Sequence, residues 1–142
     1  MEKREEMRVL IDTNILISAV LNPKGSPQKA IIEASTPPNI CIVSFQSIEE
    51  AYNTFQKKFP SKLFSLIKFI TSILPFITLV MIPPQELSNE ELIRDTDDRT
   101  IYRAAVKANA DIILTGDKDL LESGIISPQI MTAREFLNIN DL

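Results

Sequence analysis

Short apolar runs, each followed by a segment with helical spacing, constrain the fold of this 142-residue chain most strongly. The runs that predict strands are 9–11, 40–43, 77–82, 112–114 and 129–131. These runs are mostly apolar and do not alternate regularly with polar residues, which is typical of strands covered on both faces. Strands that alternate with helices predict an α/β fold, here a three-layer α/β/α sandwich with a central, mainly parallel sheet. In such a sheet, ligands bind beyond the carboxyl ends of the strands.

Helices are predicted between these strands from apolar spacing and from the residues that start and stop helices. The predicted segments are 15–21 after a capping turn at Asp12, 26–34, a helix from about Ser44 to Phe59, one capped by Ser61 and ending near Leu74, one that begins at Asp97 or Asp98, and short helices at 117–121 and 132–137. Nothing repeats and no linker divides the chain. We therefore expect one domain at residues 8–142, behind a flexible extension at residues 1–7.

The composition excludes several classes of site. The single cysteine, Cys41, excludes an internal disulfide framework and a cysteine-based zinc cluster. Histidine is absent, so hydrolytic chemistry must rest on carboxylates, hydroxyls or lysine. With only three glycines the chain contains neither a P-loop nor a dinucleotide-binding fingerprint. No stretch has the pattern of a secretory signal or a membrane span, so a cytoplasmic protein without membrane contact is expected.

Aspartates gather at positions that the predicted fold brings together. Six of the eight fall between residues 95 and 119. Asp12 directly follows the first strand and Asp117 is separated from the strand 112–114 by two residues, so both are expected at one rim. Asp98 stands at a helix start, where the helix dipole favours a carboxylate. Carboxylates that converge in a cleft repel each other unless cations neutralise them. Mg²⁺ or Mn²⁺ suits such oxygen ligands, and one or two such ions can activate water and stabilise the leaving oxygen of a phosphodiester.

Simpler interpretations exist for each of these acids. Asp12 and Asp98 can be helix caps, and Asp117 and Asp119 can be solvated turn residues. Only the joint placement of these residues on one rim favours a metal site.

The chain resembles the PIN domain family of metal-dependent nucleases in several stretches that span nearly its whole length. These stretches are RVLIDTNIL at 8–16, Val43-Ser44 followed by Glu50, DTDD at 95–98, LTGDKDLL at 114–121 and the closing TAREFL at 132–137. Their order and spacing carry the resemblance, because a lone DTN or TGD would be weak.

The resemblance implies a set of site residues. Asp12, Glu50, Asp98 and Asp117 would be the catalytic, metal-binding acids, Asp119 would be an accessory ligand, and Asn14 and Thr115 would support them. Helical periodicity does not separate Glu49 from Glu50, and Asp97 competes with Asp98. The family spacing favours Glu50, and we take Asp98 as the third acid.

The resemblance also implies partners. The most similar subgroup contains toxin components of toxin–antitoxin pairs, which implies an endoribonuclease acting on single-stranded RNA with Mg²⁺ or Mn²⁺, a small antitoxin partner and a homodimer. We expect the apolar residues between Phe64 and Phe76 to contribute to the dimer contact. The first rival function is a catalytically silent PIN-like module that binds protein or RNA. A phosphatase or phospho-acceptor domain is less well matched, because Asp12 is followed by Thr13-Asn14 and Lys118 is the only candidate lysine near the rim.

The net charge of −4 at face value argues against RNA binding, so the positions of the cations matter more than their sum. Arg99, Arg103 and Lys107 are spaced four apart and form one ridge of the predicted helix. This ridge is either a solvated helix face or a set of phosphate contacts beside the metal site. Lys57, Lys58 and Lys62 form a second patch with the same two interpretations.

Overall fold

Five parallel strands form the centre of the molecule in a computed structural model that describes residues 5–140. The strands are β1 (Arg8–Ile11), β2 (Ile40–Ser44), β3 (Ile77–Val80), β4 (Ile112–Leu114) and β5 (Gln129–Met131). Their order in the sheet is β3-β2-β1-β4-β5, and every neighbouring pair is parallel. The predicted α/β class with a parallel sheet is confirmed.

Helices surround the sheet. The α-helices of the described part are α1 (Thr13–Leu21), α2 (Ser26–Ala34), α3 (Phe45–Lys58), α4 (Leu63–Ile73), α5 (Thr96–Lys107), α6 (Lys118–Leu121) and α7 (Ala133–Asn140). Short 3-10 turns lie at Pro60–Lys62, Leu74–Phe76 and Glu90–Leu92.

Both faces of the sheet are covered, as the continuous apolar strands predict. Val9 and Ile11 point into the core formed with α1, α2 and α7, whereas Leu10 points into the opposite core formed with α5. All three side chains are fully buried. These three β1 residues are therefore in apolar surroundings on whichever face they lie, and the three-layer sandwich is confirmed.

Two helix starts differ from the prediction. α5 begins at Thr96, and Asp95 caps it by accepting a hydrogen bond from the backbone N–H of Asp97 at 2.8 Å. Neither Asp97 nor Asp98 is the cap. α4 begins at Leu63 after a 3-10 turn, with no side-chain cap, so the predicted cap at Ser61 is wrong.

The ends of the chain are only partly described. Residues 1–4 and 141–142 lie outside the described residues, and so does most of the predicted flexible extension. Met7 packs against the core, and its carbonyl accepts a hydrogen bond from the backbone N–H of Ile40 at 2.8 Å. Met7, which we predicted to belong to the extension, is therefore in contact with the domain.

The central strands deliver their following residues to one edge of the sheet. Ile11 of β1 is in register with Leu114 of β4, and the backbone N–H of Asp12 donates to the carbonyl of Leu114 at 3.0 Å. Asp12 and the turn Thr115-Gly116-Asp117 are therefore neighbours.

Within residues 5–140, no helix has the length and apolar character needed to cross a bilayer.

Candidate active site

Asp12 lies at the centre of this edge and is 4% exposed. Its Oδ1 accepts from the backbone N–H of Thr13 at 2.7 Å, while its Oδ2 accepts from Thr115 Oγ1 at 2.8 Å and Asn14 Nδ2 at 3.0 Å. Burial raises the pKa of Asp12 to about 6, and the carboxylates of Asp117 and Glu50 act in the same direction. Asp12 is thus both a helix cap and a carboxylate whose charge the fold disfavours.

The turn after β4 is tied to Asp12 through polar side chains. Asn14 Oδ1 accepts from the backbone N–H of Gly116 at 3.0 Å, and Thr115 Oγ1 accepts from the backbone N–H of Asp117 at 3.0 Å. Asp117 caps α6 by accepting from the backbone N–H of Asp119 at 2.8 Å. Asn14 and Thr115 therefore hold the turn that carries Asp117 beside Asp12.

Glu50 reaches the same place from α3. Ser44 caps this helix through the backbone N–H of Ser47 at 3.0 Å. Thr13 Oγ1 donates to Glu50 Oε2 at 3.2 Å and lies 2.9 Å from Ser47 Oγ. Glu50 lines the cleft that Asp12 lines, whereas Glu49 lines only a neighbouring groove with Lys57 and Lys58. The side-chain positions therefore favour Glu50 over Glu49.

Asp98 completes the group from the first turn of α5. Its Oδ2 is buried and has no hydrogen-bond partner among the described residues. Burial, followed by the negative charges of Asp117, Asp12 and Asp95, raises the pKa of Asp98 to about 8. The adjacent Asp97 is exposed. Of the two alternatives, Asp98 has the environment of a ligand.

A second grouping overlaps the first at Asp98. One carboxylate oxygen each from Asp95, Asp98 and Asp119 lies within 4.8 Å of the others, and Arg94 Nε lies 3.3 Å from Asp119 Oδ1. Asp12 and Glu50 are outside this tight group. Asp119 is thus placed beside Asp98, at the edge of the cleft.

The predicted acids share one cleft of about 460 Å³. Its lining includes Asp12, Glu50, Asp98 and Asp117, with Gln46 and Ser47 between them. One buried Asp98 oxygen has no hydrogen-bond partner among the described residues, and neighbouring carboxylates help raise the pKa values of Asp12 and Asp98, so a bound cation would satisfy that oxygen and offset the repulsion. These donors are hard carboxylate oxygens, so the residues fit Mg²⁺ or Mn²⁺.

Comparison with known proteins agrees with this geometry. Residues 8–119 match a family model described as PIN domain. The chain belongs to the PIN domain family. Proteins of this family are nucleases. The four acids of the cleft lie within the matched residues.

Proteins with a similar sequence or fold align with most of this PIN domain. An uncharacterized protein of Methanocaldococcus jannaschii is 29% identical over a 153-residue alignment, which covers 100% of this chain and 88% of that protein. Among solved structures, VapBC2 from Rickettsia felis bound to a DNA fragment from their promoter has a TM-score of 0.64 at 15% identity and covers 89% of this chain and 98% of its own.

Two further structures share the fold. Mycobacterium tuberculosis VapC20, a sarcin-ricin loop cleaving toxin, has a TM-score of 0.57 at 14% identity and covers 83% of this chain and 96% of its own. PAE2754 from Pyrobaculum aerophilum has a TM-score of 0.58 at 15% identity, with coverages of 96% and 97%. At these identities, the likeness shows the fold.

Two of the three cations of the basic ridge predicted on α5 have hydrogen-bond partners within this PIN domain. The Arg103 guanidinium is only 13% exposed and forms two hydrogen bonds, at 2.7 and 2.8 Å, with the buried carboxylate of Glu90. Arg99 Nε donates to the carbonyl of Ile93 at 2.8 Å. Lys107 is exposed but lines a separate groove with Arg103 and Glu86. The Arg103 side chain is therefore engaged by Glu90, and Arg99, Arg103 and Lys107 as RNA contacts stay predictions.

Three residues near the site were not singled out from the sequence. Asp95 joins Asp98 and Asp119, Glu90 anchors the segment before α5, and Gln46 has a buried Oε1 with no hydrogen-bond partner in the described structure. The position of Asp95 two residues before Asp97 is a recognisable capping signal. The sequence contains no comparable signal for Glu90, because its partner Arg103 lies 13 residues away across an irregular segment.

Proposed function

We propose that this PIN domain is a metal-dependent endoribonuclease that hydrolyses phosphodiester bonds of single-stranded RNA. One observation carries the proposal: Asp12, Glu50, Asp98 and Asp117 come from four separate parts of the chain and line one cleft. Burial and mutual repulsion make this arrangement costly, as the raised pKa values of Asp12 and Asp98 indicate. A binding module without metal would gain nothing from that cost.

The residues of the cleft would have two roles, metal binding and positioning of the metal ligands. Asp12, Glu50, Asp98 and Asp117 would hold one or two Mg²⁺ or Mn²⁺ ions, with Asp119 as an accessory ligand. When bound, such ions activate water and neutralise charge at the phosphate and the leaving oxygen. Thr115 and Asn14 fix the second oxygen of Asp12, and Thr13 orients Glu50, so the ligand atoms are positioned before a cation binds.

We further infer that the protein is the toxin of a toxin–antitoxin pair in the cytoplasm. Mycobacterium tuberculosis VapC20, which shares the fold, is a sarcin-ricin loop cleaving toxin, and the Rickettsia felis structure with the same fold is VapBC2 bound to a DNA fragment from their promoter. A small antitoxin protein would then be the partner of this chain.

Apolar exposure on α4 supports the homodimer of this proposal. Phe64 is 74% exposed and Phe76, in the turn after α4, is 64% exposed, with Ile67 and Leu74 also exposed between them. Exposed large apolar residues concentrated on one element indicate a surface that is covered by another chain. An isologous contact through α4 would cover it.

The test compares adjacent acids of the same type. Asp98→Asn and Glu50→Gln should abolish Mn²⁺-dependent cleavage of a labelled single-stranded RNA, because each removes a ligand charge while keeping the shape of the side chain. Asp97→Asn and Glu49→Gln are the matched controls and should retain most of the activity, because Glu49 does not line the acid cleft and Asp97, which also lines it, is more exposed than Asp98. If the wild-type protein binds this RNA but does not cleave it with Mn²⁺ or Mg²⁺, the catalytic proposal fails and the silent binding module replaces it.

A further inference from the structure

A second, larger groove adjoins the acid cleft. Its volume is about 810 Å³, and it runs between the turn linking α1 to α2, the first part of α2, the loop after β4 and the start of α7. Asn14 and Asp117 line both this groove and the acid cleft, so the two adjoin at these residues. The groove is therefore next to the position that a strand bound at the acid cleft would occupy.

The charges of this groove are opposite to those of the cleft. Lys24, Lys29 and Arg134 line it, and all three side chains are exposed. Asp117 is the only carboxylate among the described lining residues, and it lies at the shared boundary. Within residues 5–140, no salt bridge engages any of the three cations. This distinguishes them from Arg94 and Arg103, which are paired with Asp119 and Glu90.

We propose that this groove, defined by Lys24, Lys29 and Arg134, binds the sugar-phosphate backbone of the single-stranded RNA on one side of the scissile phosphate. The inference rests on the proposed ribonuclease function and specifies where its substrate lies. An acidic protein repels the phosphates of RNA. Unpaired cations beside the acid cleft would offset this repulsion, because they attract the flanking phosphates while the metal site receives the scissile one. The groove adds a set of phosphate contacts to those predicted for the α5 ridge.

The groove also predicts how the protein treats sequence. Lysine and arginine contacts with phosphates position a strand without reading its bases. The contribution of the groove should therefore be the same for different single-stranded sequences. Any sequence preference must come from other parts of the protein.

The experiment measures RNA affinity separately from cleavage. A fluorescein-labelled oligouridine is titrated with protein in EDTA over a series of salt concentrations, and the same variants are assayed for cleavage with Mn²⁺. Lys24→Ala/Lys29→Ala should weaken binding roughly 10-fold at low salt and reduce the slope of log K against log salt by roughly 1.4, about 0.7 for each lost contact. Adding Arg134→Ala should reduce the slope further by about 0.7. An oligoadenosine should show the same losses.

Lys68→Ala is the control for each single charge removed, because Lys68 is exposed on α4, outside both the groove and the patch of Lys57, Lys58 and Lys62. It should leave the slope within error of that of the wild-type protein. If Lys24→Ala/Lys29→Ala binds the oligouridine with wild-type affinity and slope, the groove does not hold RNA and is left for a protein partner. If the wild-type protein shows the predicted binding but no cleavage with Mn²⁺, the ribonuclease proposal fails while the groove stands.

Discussion

Asp98 has the least favourable environment for a charge among the four acids. One of its oxygens is buried without a hydrogen-bond partner in the described structure, and burial together with Asp117 raises its pKa to about 8. Asp98→Asn removes the charge without breaking a hydrogen bond to that oxygen. We predict that it raises the melting temperature of the metal-free protein and abolishes the further increase that millimolar Mn²⁺ gives the wild type. A variant that melts well below the wild type in EDTA would show that Asp98 is structural.

The pH dependence of stability should have a defined sign in the absence of metal. The folded-state pKa values of Asp12 and Asp98, about 6 and about 8, lie above the ordinary value of 3.8, so the folded protein retains protons that the unfolded chain has released. Their stabilising contribution is full below about pH 4 and is lost as pH rises through 6 and 8. Thermal melts in EDTA should therefore show a falling melting temperature between pH 5 and pH 8. A rise over that range would contradict the pKa assignments.

Glu90 should act in the opposite direction. The hydrogen bonds from Arg103 lower its pKa from 4.5 to about 2. Its contribution to stability is present above pH 4.5 and is lost as pH falls towards 2. Glu90→Gln should therefore flatten the acid side of the stability profile and leave the change between pH 5 and pH 8 intact. An unchanged loss of stability in acid would show that other carboxylates cause it.

At the scale of elements, the local sequence predicted whether a segment is a helix or a strand better than it predicted the residues at which the element begins and ends. Ser44 was identified at the start of α3 because it precedes an apolar helical pattern, and the structure shows it as the cap. The start of α5 was misplaced because three aspartates compete within four residues, and only the hydrogen bond from Asp97 N–H to Asp95 identifies the cap. β3 ends at Val80 rather than residue 82 because its partner β2 ends at Ser44, the residue paired with Val80. That limit depends on pairing, which the local pattern does not contain.

The segment before α5 depends on one long-range ion pair. Arg103 from α5 contacts the buried carboxylate of Glu90, and Tyr102 Oη donates to Asn89 Oδ1 at 2.9 Å in the same segment. Arg103→Ala would leave Glu90 buried without its cation. We predict that it lowers the melting temperature by roughly 5 °C or more. Lys107→Ala, one turn later and exposed, is the control and should change it little. Equal melting temperatures for the two variants would exclude a structural role for the pair.

At the scale of the whole molecule, the acid cleft was predictable because parallel topology brings the carboxyl ends of the strands together. Asp12 and Asp117 follow neighbouring strands, so their placement required only the strand order that an α/β fold favours. The basic groove was not predictable in the same way. Lys24, Lys29 and Arg134 come from distant segments, and only the packing of α2 against α7 brings them to one side of the cleft.

The proposed homodimer makes a prediction at this scale. Phe64→Ser/Phe76→Ser replaces the two most exposed apolar side chains of the α4 region, and it should convert a dimer into a monomer in light scattering at micromolar concentration. Ile126→Ser is the control, since Ile126 is 87% exposed elsewhere on the molecule and should not affect assembly. A wild-type protein that is monomeric at tens of micromolar would remove the dimer from the proposal.

The initial rate of single-stranded RNA cleavage by the wild type and by Asp117→Asn, each with Mn²⁺ and with EDTA, tests the central claim most directly. Asp117 lines both the acid cleft and the groove, and its replacement by asparagine keeps the acceptor oxygen that caps α6 while removing a ligand charge. We predict cleavage only by the wild type with Mn²⁺, and equal or slightly tighter RNA binding by the variant, because one negative charge near phosphate is gone. Cleavage that survives EDTA, or equal rates for both proteins, would contradict the assignment of the acid cleft as a metal-dependent nuclease site.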